Sequence, residues 1–180
     1  LKQISTGKKE NKFGINEKTF IEVSRYTKNS KFLNLKCLSV HIGSQILDHK
    51  PYQKMINVLD KLIKKMDFSF EYIDLGGGMG IDYKKDNKKF DFKKYNQIIK
   101  KFLVNHKSKI IFEPGRSIIG NTAILVSKIL YIKENSKKDF IILDAAMNDF
   151  MRPALYGAKH KIIPLKKINK ITNKTYDFVG

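Results

Sequence analysis

The first two-thirds of the chain alternates apolar runs typical of β-strands with amphipathic helical patterns, and this alternation limits the fold more than any other feature. The three strand-like runs are found at 35–40, 71–75 and 109–112. Apolar residues recur every three or four positions behind Pro51, and again behind Asp91. Strands that alternate with such helices predict parallel βα units.

Each strand-like run leads at its carboxyl end into residues that can bind a ligand. The three groups are His41 with Ser44, the glycine run at 76–80, and Glu113 with Arg116. In a closed βα barrel such strand ends converge on one face, where active sites are assembled. An open doubly wound sheet also gathers strand ends at a crevice, so the spacing alone is compatible with both folds.

The glycine run Gly76-Gly-Gly-Met-Gly80 comes directly after a strand-like segment. Without Cβ atoms the backbone can turn sharply and aim successive N–H groups at an anion such as a phosphate. The run lacks the closing Gly-Lys-Ser/Thr of a nucleoside-triphosphate loop, and its spacing differs from that of dinucleotide-binding glycines. It therefore indicates a phosphate site or, alternatively, a tight turn with a purely structural role.

Opposite charges flank a Pro-Gly corner after the third run, where Glu113 and Arg116 are found. A carboxylate there could contact the ring nitrogen of a cofactor while the arginine binds an anionic group. The alternative is a local salt bridge between the two side chains. His41 also has two interpretations, a site residue at a strand end or a partly buried side chain with an ordinary hydrogen bond.

A change of pattern after Gly120 indicates a second domain. Two apolar runs, at 122–132 and 140–143, follow one another without a helix between them and predict a β-hairpin. We therefore assign residues 1–119 to the βα domain and residues 120–180 to a β-rich domain.

An arginine and a tyrosine lie four positions apart in the segment after the second of these runs. Arg152 and Tyr156 could form an anion-binding pair there. In the alternative interpretation the segment is an ordinary loop, in which Asp144 is a cap and the Tyr156 ring packs against its neighbours.

Composition favours a folded, soluble protein, because 42% of the 180 residues are hydrophobic and no apolar run is long enough to cross a membrane. The single cysteine, Cys37, excludes an intrachain disulfide and is typical of a reducing compartment, so we expect a cytoplasmic protein. No spacing of histidines, cysteines and carboxylates resembles a metal site, and none is expected.

A net charge of +19 would ordinarily suggest nucleic acid or an anionic membrane as a partner. The lysines are scattered, however, and no aromatic residues alternate with them as on a nucleic-acid surface, so we expect no specific nucleic-acid partner. The arginines among the 36 basic residues are Arg25, Arg116 and Arg152. Two of them fall in the segments described above, and a planar guanidinium can grip a carboxylate or phosphate through two parallel bonds.

Four segments, taken in order, resemble those of the diaminopimelate decarboxylases, pyridoxal-phosphate enzymes that make lysine. The segments are His41-Ile-Gly-Ser-Gln45, Leu75-Gly-Gly-Gly-Met-Gly80, Phe112-Glu-Pro-Gly-Arg116 and Met147-Asn-Asp-Phe-Met-Arg152-Pro-Ala-Leu-Tyr156. The first three are similar to segments of ornithine and arginine decarboxylases, whereas the fourth is more specific to the diaminopimelate enzymes. Residues 5–15 resemble the segment that precedes the second half of the barrel in this family.

The resemblance implies an α/β fold, with part of a pyridoxal-phosphate-binding (β/α)8 barrel of the TIM type followed by the start of a C-terminal β domain. It also implies a homodimer whose active sites use both subunits. Transferred to this sequence, His41 would stack on the cofactor ring and Glu113 would pair with its pyridinium nitrogen. The cofactor phosphate would be held by Ser44, Gly77, Gly78 and Arg116, and Gly115 would be a further cofactor-binding residue. A substrate carboxylate would be bound by Arg116, Arg152 and Tyr156.

The activity implied by the resemblance is decarboxylation of meso-2,6-diaminopimelate to L-lysine and carbon dioxide, the last step of lysine biosynthesis. The family's cofactor-bonding lysine would precede residue 1 and its acid-donating cysteine would follow residue 180, so this stretch alone is expected to be inactive. The alternatives are another pyridoxal-phosphate-dependent decarboxylase of basic amino acids or carboxypolyamines, and a non-catalytic, cofactor-binding regulatory homologue.

Overall fold

A computed structural model describes residues 12–66, 68–83, 88–166 and 174–180. Part of the family-like segment at 5–15, residues 5–11, therefore lies outside the described residues. The chain divides into two compact units between Thr122 and Ala123. This division lies close to the boundary at 119/120 drawn from the sequence, and the assignment of domains in the complete protein stays a prediction.

Unit 1, which extends to Thr122, is built around three short parallel strands. Its elements are α1 (Glu17–Lys28), β1 (Cys37–Ser39), α2 (Lys50–Met66), β2 (Tyr72–Asp74), α3 (Phe92–Asn105), β3 (Lys109–Ile111) and α4 (Arg116–Ile119). The strands pair in the order β1-β2-β3, with Leu38 opposite Ile73 and Ile73 opposite Ile110. The predicted parallel βα units are confirmed, whereas α1 and α4 were not predicted.

Helices α2 and α3 cover the sheet with the apolar faces that their spacing predicts. The buried residues of the two helices are Tyr52, Met55, Ile56, Leu59, Ile63, Tyr95, Ile98, Ile99 and Phe102. Full burial of a large apolar side chain contributes about 1.5–3 kcal/mol, so these faces stabilise unit 1 more than any exposed contact does. Asp91 begins α3 as predicted, because its side chain accepts a hydrogen bond from Lys94 N at 2.9 Å.

One polar contact joins the same two helices at their edge. Asp60 of α2 accepts from His106 Nε2 at 2.7 Å and from Lys64 Nζ at 2.7 Å. The His106 ring also packs on Phe102, with the ring centres 4.5 Å apart. The hydrogen bonds from Lys64 and then from His106 lower the pKa of the Asp60 carboxyl below its ordinary value.

Unit 2, Ala123–Gly180, contains a small mixed sheet. Its elements are β4 (Ile129–Lys133), β5 (Asp139–Leu143), α5 (Arg152–Tyr156) and β6 (Tyr176–Val179). Strands β4 and β5 are antiparallel, which confirms the predicted hairpin, and β6 adds to β5 in parallel. The first strand is shorter than predicted, because it begins at Ile129 and the apolar residues from 122 to 128 are outside it.

The described ranges contain no helix that is long and apolar enough to span a bilayer. Within the same ranges, no group of three or more His, Cys, Asp or Glu side chains is placed to hold a metal ion.

We predict that Asp60→Asn lowers the free energy of unfolding near neutral pH by about 1 kcal/mol, since it weakens two hydrogen bonds to a partly buried carboxylate. Because the pKa of Asp60 is lower in the folded than in the unfolded protein, its ionised carboxylate stabilises the fold at pH values above the unfolded pKa of 3.8. This stabilisation is lost as the pH falls through the lower pKa of the folded state. The difference in the free energy of unfolding between wild type and Asp60→Asn, measured by urea titration, should therefore become smaller below pH 3.8.

Glu71→Gln is the matched control, because its ion pair with Lys36 is more exposed, with 43% and 57% of the two side chains accessible. It should change the stability less than Asp60→Asn does. An Asp60→Asn effect that stayed constant from neutral to acidic pH would contradict this account of the α2–α3 contact.

Candidate cofactor-binding site

The residues that follow β1, β2 and β3 lie side by side at one edge of the parallel sheet. The ladder of backbone hydrogen bonds continues past the strands, from Val40 N to Asp74 O at 2.9 Å and from Leu75 N to Ile111 O at 3.0 Å. Its last rung is Glu113 N to Gly76 O, at 3.0 Å. The three sequence segments predicted to converge are thus brought together by backbone pairing.

The glycine run between these strand ends has no space for side chains. A Cβ atom on Gly76, whose φ is +64°, would lie 2.5 Å from the carbonyl oxygen of Val40. A Cβ atom on Gly77 would overlap the carbonyl oxygen of Glu113, and one on Gly78, with φ +91°, would overlap that of Gly43. Close approach of backbone to backbone therefore requires glycine at all three positions.

Of the three N–H groups at 76–78, two are bonded to side chains, those of Asp74 at the end of β2 and of His41 shortly after β1. Asp74, which is 8% exposed, accepts from Gly76 N at 2.8 Å and from Ser39 Oγ at 3.2 Å. Gly77 N donates to His41 Nδ1 over a long 3.4 Å. His41 is exposed, so its ring lies at the surface beside the glycine run. The interpretation of His41 as a site residue is compatible with this position.

Glu113 and Arg116 do not form the local salt bridge that was the alternative interpretation of this segment. Glu113 is exposed, and its carboxylate has no hydrogen bond or ion pair with any residue that the structure describes. Arg116 is half-buried, and its Nη1 donates to Gln45 Oε1 at 3.0 Å. Its guanidinium also lies 5.8 Å from the centre of the Tyr83 ring. The carboxylate of Glu113 remains available for a ligand at the sheet edge.

Gln45 is a residue of this site to which the sequence motif assigned no role. It has φ of +62°, an uncommon conformation for a residue with a side chain. Its Oε1 atom accepts from Ile81 N at 3.3 Å as well as from Arg116. Gln45 thus fixes the arginine to the backbone just after the glycine run. The only sequence signal was its place at the end of the segment that begins with His41.

Ser44 and Gly115 complete the predicted cofactor-binding residues, and both are exposed. Ser44 lies in the loop between β1 and α2, and its hydroxyl has no hydrogen bond within the described ranges. Gly115 precedes α4, where its carbonyl accepts from Ile118 N at 3.0 Å. No atom lies within 4 Å of the position that a Cβ on Gly115 would take.

The remaining predicted site residues, Arg152 and Tyr156, are in unit 2 and share the short helix α5. The Arg152 guanidinium lies 5.8 Å from the centre of the Tyr156 ring. The Nε atom of Arg152 is buried and has no hydrogen-bond partner among the residues described. A buried donor on a charged group without a partner is costly, and the predicted role of the pair in binding an anion stays a prediction.

We predict that Gly77→Ala destabilises the protein by about 1–3 kcal/mol, because the added methyl group must displace a backbone carbonyl. Gly115→Ala is the matched control, since the methyl group enters open space at a φ of −101° and should change the stability by less than about 0.5 kcal/mol. Chemical denaturation of both variants measures the difference. Equal stabilities of the two variants would contradict the packing described for the glycine run.

Comparison with known proteins gives the site a family context. Residues 1–120 match the family described as "Pyridoxal-dependent decarboxylase, pyridoxal binding domain". The diaminopimelate decarboxylase of Aquifex aeolicus (strain VF5) is 40% identical over 167 residues, which cover 91% of this chain and 40% of that protein. The diaminopimelate decarboxylase of Helicobacter pylori is 42% identical over 165 residues, which cover 88% of this chain and 40% of that protein. The chain therefore spans about two-fifths of the length of these relatives.

Solved structures show the same likeness. The crystal structure of diaminopimelate decarboxylase from Helicobacter pylori complexed with L-lysine matches with a TM-score of 0.84 and 39% identity, covering 93% of this chain and 42% of that one. Lysine/ornithine decarboxylase from Vibrio vulnificus, at 20% identity and a TM-score of 0.72, shares the fold over 83% of this chain and 42% of that one. The family match covers residues 1–120, which include the parallel βα units of unit 1. The chain therefore belongs to the pyridoxal-dependent decarboxylase family, and unit 1 is part of that family's pyridoxal-binding barrel.

Proposed function

We propose that the complete protein to which this chain belongs decarboxylates meso-2,6-diaminopimelate to L-lysine and carbon dioxide with pyridoxal phosphate as its cofactor. The observation that carries the proposal is the grouping of a glycine run, a free carboxylate and an anchored arginine at one edge of the parallel sheet. Relatives named diaminopimelate decarboxylase, about 40% identical over most of the chain, support this substrate over others.

The residues at the sheet edge fit the chemical groups of the cofactor. Gly78 is half-buried and its N–H is unused by the described residues, as expected for a phosphate donor. We assign the phosphate to Ser44, Gly77, Gly78, Gly115 and Arg116, with Gly77 giving its N–H to the phosphate in place of its long bond to His41, and we assign the ring to His41 and Glu113. When bound, pyridoxal phosphate supplies an electron sink for the electron pair left on the α-carbon after carbon dioxide departs.

Glu113 would control the charge of the cofactor ring in this arrangement. Its carboxylate lies at the end of β3 and is not occupied by Arg116 or by another described residue. A carboxylate facing a pyridine nitrogen keeps a proton on that nitrogen, which strengthens the electron demand of the ring. The hydrogen bond from Arg116 to Gln45 supports this role, because it keeps the guanidinium from neutralising Glu113.

Arg152 and Tyr156 would bind the substrate carboxylate that does not react, with Arg116 able to contribute. The buried, unpaired Nε of Arg152 supports this assignment, because a carboxylate would supply the missing acceptor and a compensating charge. Ornithine lacks the second carboxylate and would leave this arginine unpaired. A desolvated charge without a partner gives strong discrimination against the wrong substrate.

The complete protein is proposed to act as a cytoplasmic homodimer. Four large apolar side chains of strand β4 are more than half exposed in this chain. An apolar surface of this kind is typically covered by a partner subunit or by another segment of the protein. These residues are Ile129, Leu130, Tyr131 and Ile132. The single cysteine, Cys37, fits a reducing compartment.

The direct test is to supply the complete protein with pyridoxal phosphate and to measure carbon dioxide and L-lysine formed from meso-diaminopimelate, with ornithine assayed in parallel. Turnover of meso-diaminopimelate alone is the expected result. Preferential turnover of ornithine would assign the protein to the other basic-amino-acid decarboxylases. Cofactor binding without turnover of either compound would indicate a regulatory homologue.

We predict that Arg152→Met lowers kcat/KM for meso-diaminopimelate about 100-fold, since a charge-assisted bond to a substrate carboxylate is lost. Arg25→Met is the control, because Arg25 is an exposed residue in the last turn of α1. Steady-state kinetics of the complete protein compare the two. An Arg152→Met variant with wild-type kcat/KM would remove Arg152 from the substrate site.

A further inference from the structure

A buried hydroxyl group holds the glycine run from the core side. Tyr52, in the first turn of α2, is fully buried and donates from its hydroxyl to the carbonyl oxygen of Gly77 at 2.9 Å. Burial raises the pKa of Tyr52 to about 12, so the hydroxyl keeps its proton and remains a donor at physiological pH. The interaction joins the helix to the run at the point where the run turns.

The direction of one peptide unit follows from this bond. A trans peptide is planar, and its C=O and N–H point in opposite directions. Because the Gly77 carbonyl points to Tyr52 in the core, the N–H of Gly78 in the same peptide points away from the core. The next carbonyl, that of Gly78, is held separately by Ile46 N at 2.9 Å, so the run is fixed on both sides of this donor.

The N–H of Gly78 differs from the two before it in having no acceptor. Gly76 N donates to Asp74 and Gly77 N to His41, whereas Gly78 N has no partner in the part of the chain that the structure describes. Gly78 is half-buried, while Gly76 and Gly77 are buried. A fixed and unused N–H on a partly exposed glycine is a donor suited to an anion.

We propose that Tyr52 is a positioning residue for the cofactor phosphate: by holding the Gly77 carbonyl, it aims the N–H of Gly78 at the anion. This inference rests on the proposed function, since it requires that pyridoxal phosphate occupies the sheet edge. Tyr52 itself contacts neither cofactor nor substrate in this proposal and acts through one peptide unit.

A purely structural role for Tyr52 makes a different prediction. Its ring also packs in an aromatic cluster, 4.7 Å from the centre of Tyr95 and 5.3 Å from that of Phe90. Tyr95 provides a matched control in the same cluster, because it is 3% exposed and its hydroxyl has no hydrogen-bond partner among the described residues. Replacement of either tyrosine by phenylalanine keeps the ring and removes only the hydroxyl.

The test compares the binding of pyridoxal phosphate with that of pyridoxal, which lacks the phosphate, to cofactor-free complete protein. Absorbance and fluorescence titrations give both dissociation constants for wild type, Tyr52→Phe and Tyr95→Phe. We call the dissociation constant of pyridoxal divided by that of pyridoxal phosphate the phosphate-dependent advantage. In Tyr52→Phe this ratio should fall about 10-fold, because a hydrogen bond to a charged group is misdirected. Tyr95→Phe should keep the wild-type ratio.

A further variant covers the case in which Tyr52→Phe does not fold. Replacement of Tyr52 by 4-aminophenylalanine retains a donor at the same ring position and should keep most of the phosphate-dependent advantage. Replacement by 4-fluorophenylalanine removes the donor and should lose that advantage. Circular dichroism of each variant shows whether the fold is intact.

The outcomes separate the two proposals. Wild-type protein that binds neither ligand would overturn the proposed function itself. Wild-type protein that prefers pyridoxal phosphate, together with a folded Tyr52→Phe variant of equal preference, would overturn only the role of Tyr52. An equal loss of affinity for both ligands in Tyr52→Phe would also overturn it, because the effect would not depend on the phosphate.

Discussion

The site depends on a gap without room for side chains between the ends of β1 and β3. The chain leaves β2 through this gap, and a Cβ atom at Gly76, Gly77 or Gly78 would meet a carbonyl oxygen of a neighbouring segment. Those segments are tied to one another by backbone hydrogen bonds, so they cannot move aside without breaking the sheet. Glycine is therefore required by packing at these positions, whatever ligand the sheet edge binds.

The core beneath the gap is organised around polar groups that the glycine run satisfies. Tyr52 and Asp74 are buried, and a buried hydroxyl or carboxylate is costly unless it is hydrogen-bonded. Each finds its partner in the run, Tyr52 at the Gly77 carbonyl and Asp74 at the Gly76 N–H. Helix α2 therefore does more than bury an apolar face, because its Tyr52 fixes the direction of the peptide unit between Gly77 and Gly78.

Much of the fold could be predicted because burial repeats along the sequence. The periods of α2 and α3, the apolar runs of the parallel strands and the hairpin of unit 2 were all visible. Helix α1 was missed although Asn16 caps it through a bond from Thr19 N at 2.9 Å. Helices α4 and α5 span four and five residues, so they are too short to show a period. Their formation depends on neighbouring segments rather than on a pattern of their own.

The sequence by itself determined which segments meet at the sheet edge, since parallel strands bring their carboxyl ends to one side, and it singled out the glycines and Arg116 there. Only the tertiary structure decided how those residues are held. It paired Arg116 with Gln45 and not with Glu113, and placed the Tyr52 hydroxyl beneath Gly77. These contacts join residues far apart in the chain and depend on the direction of single side chains, which leaves no periodic trace in a sequence.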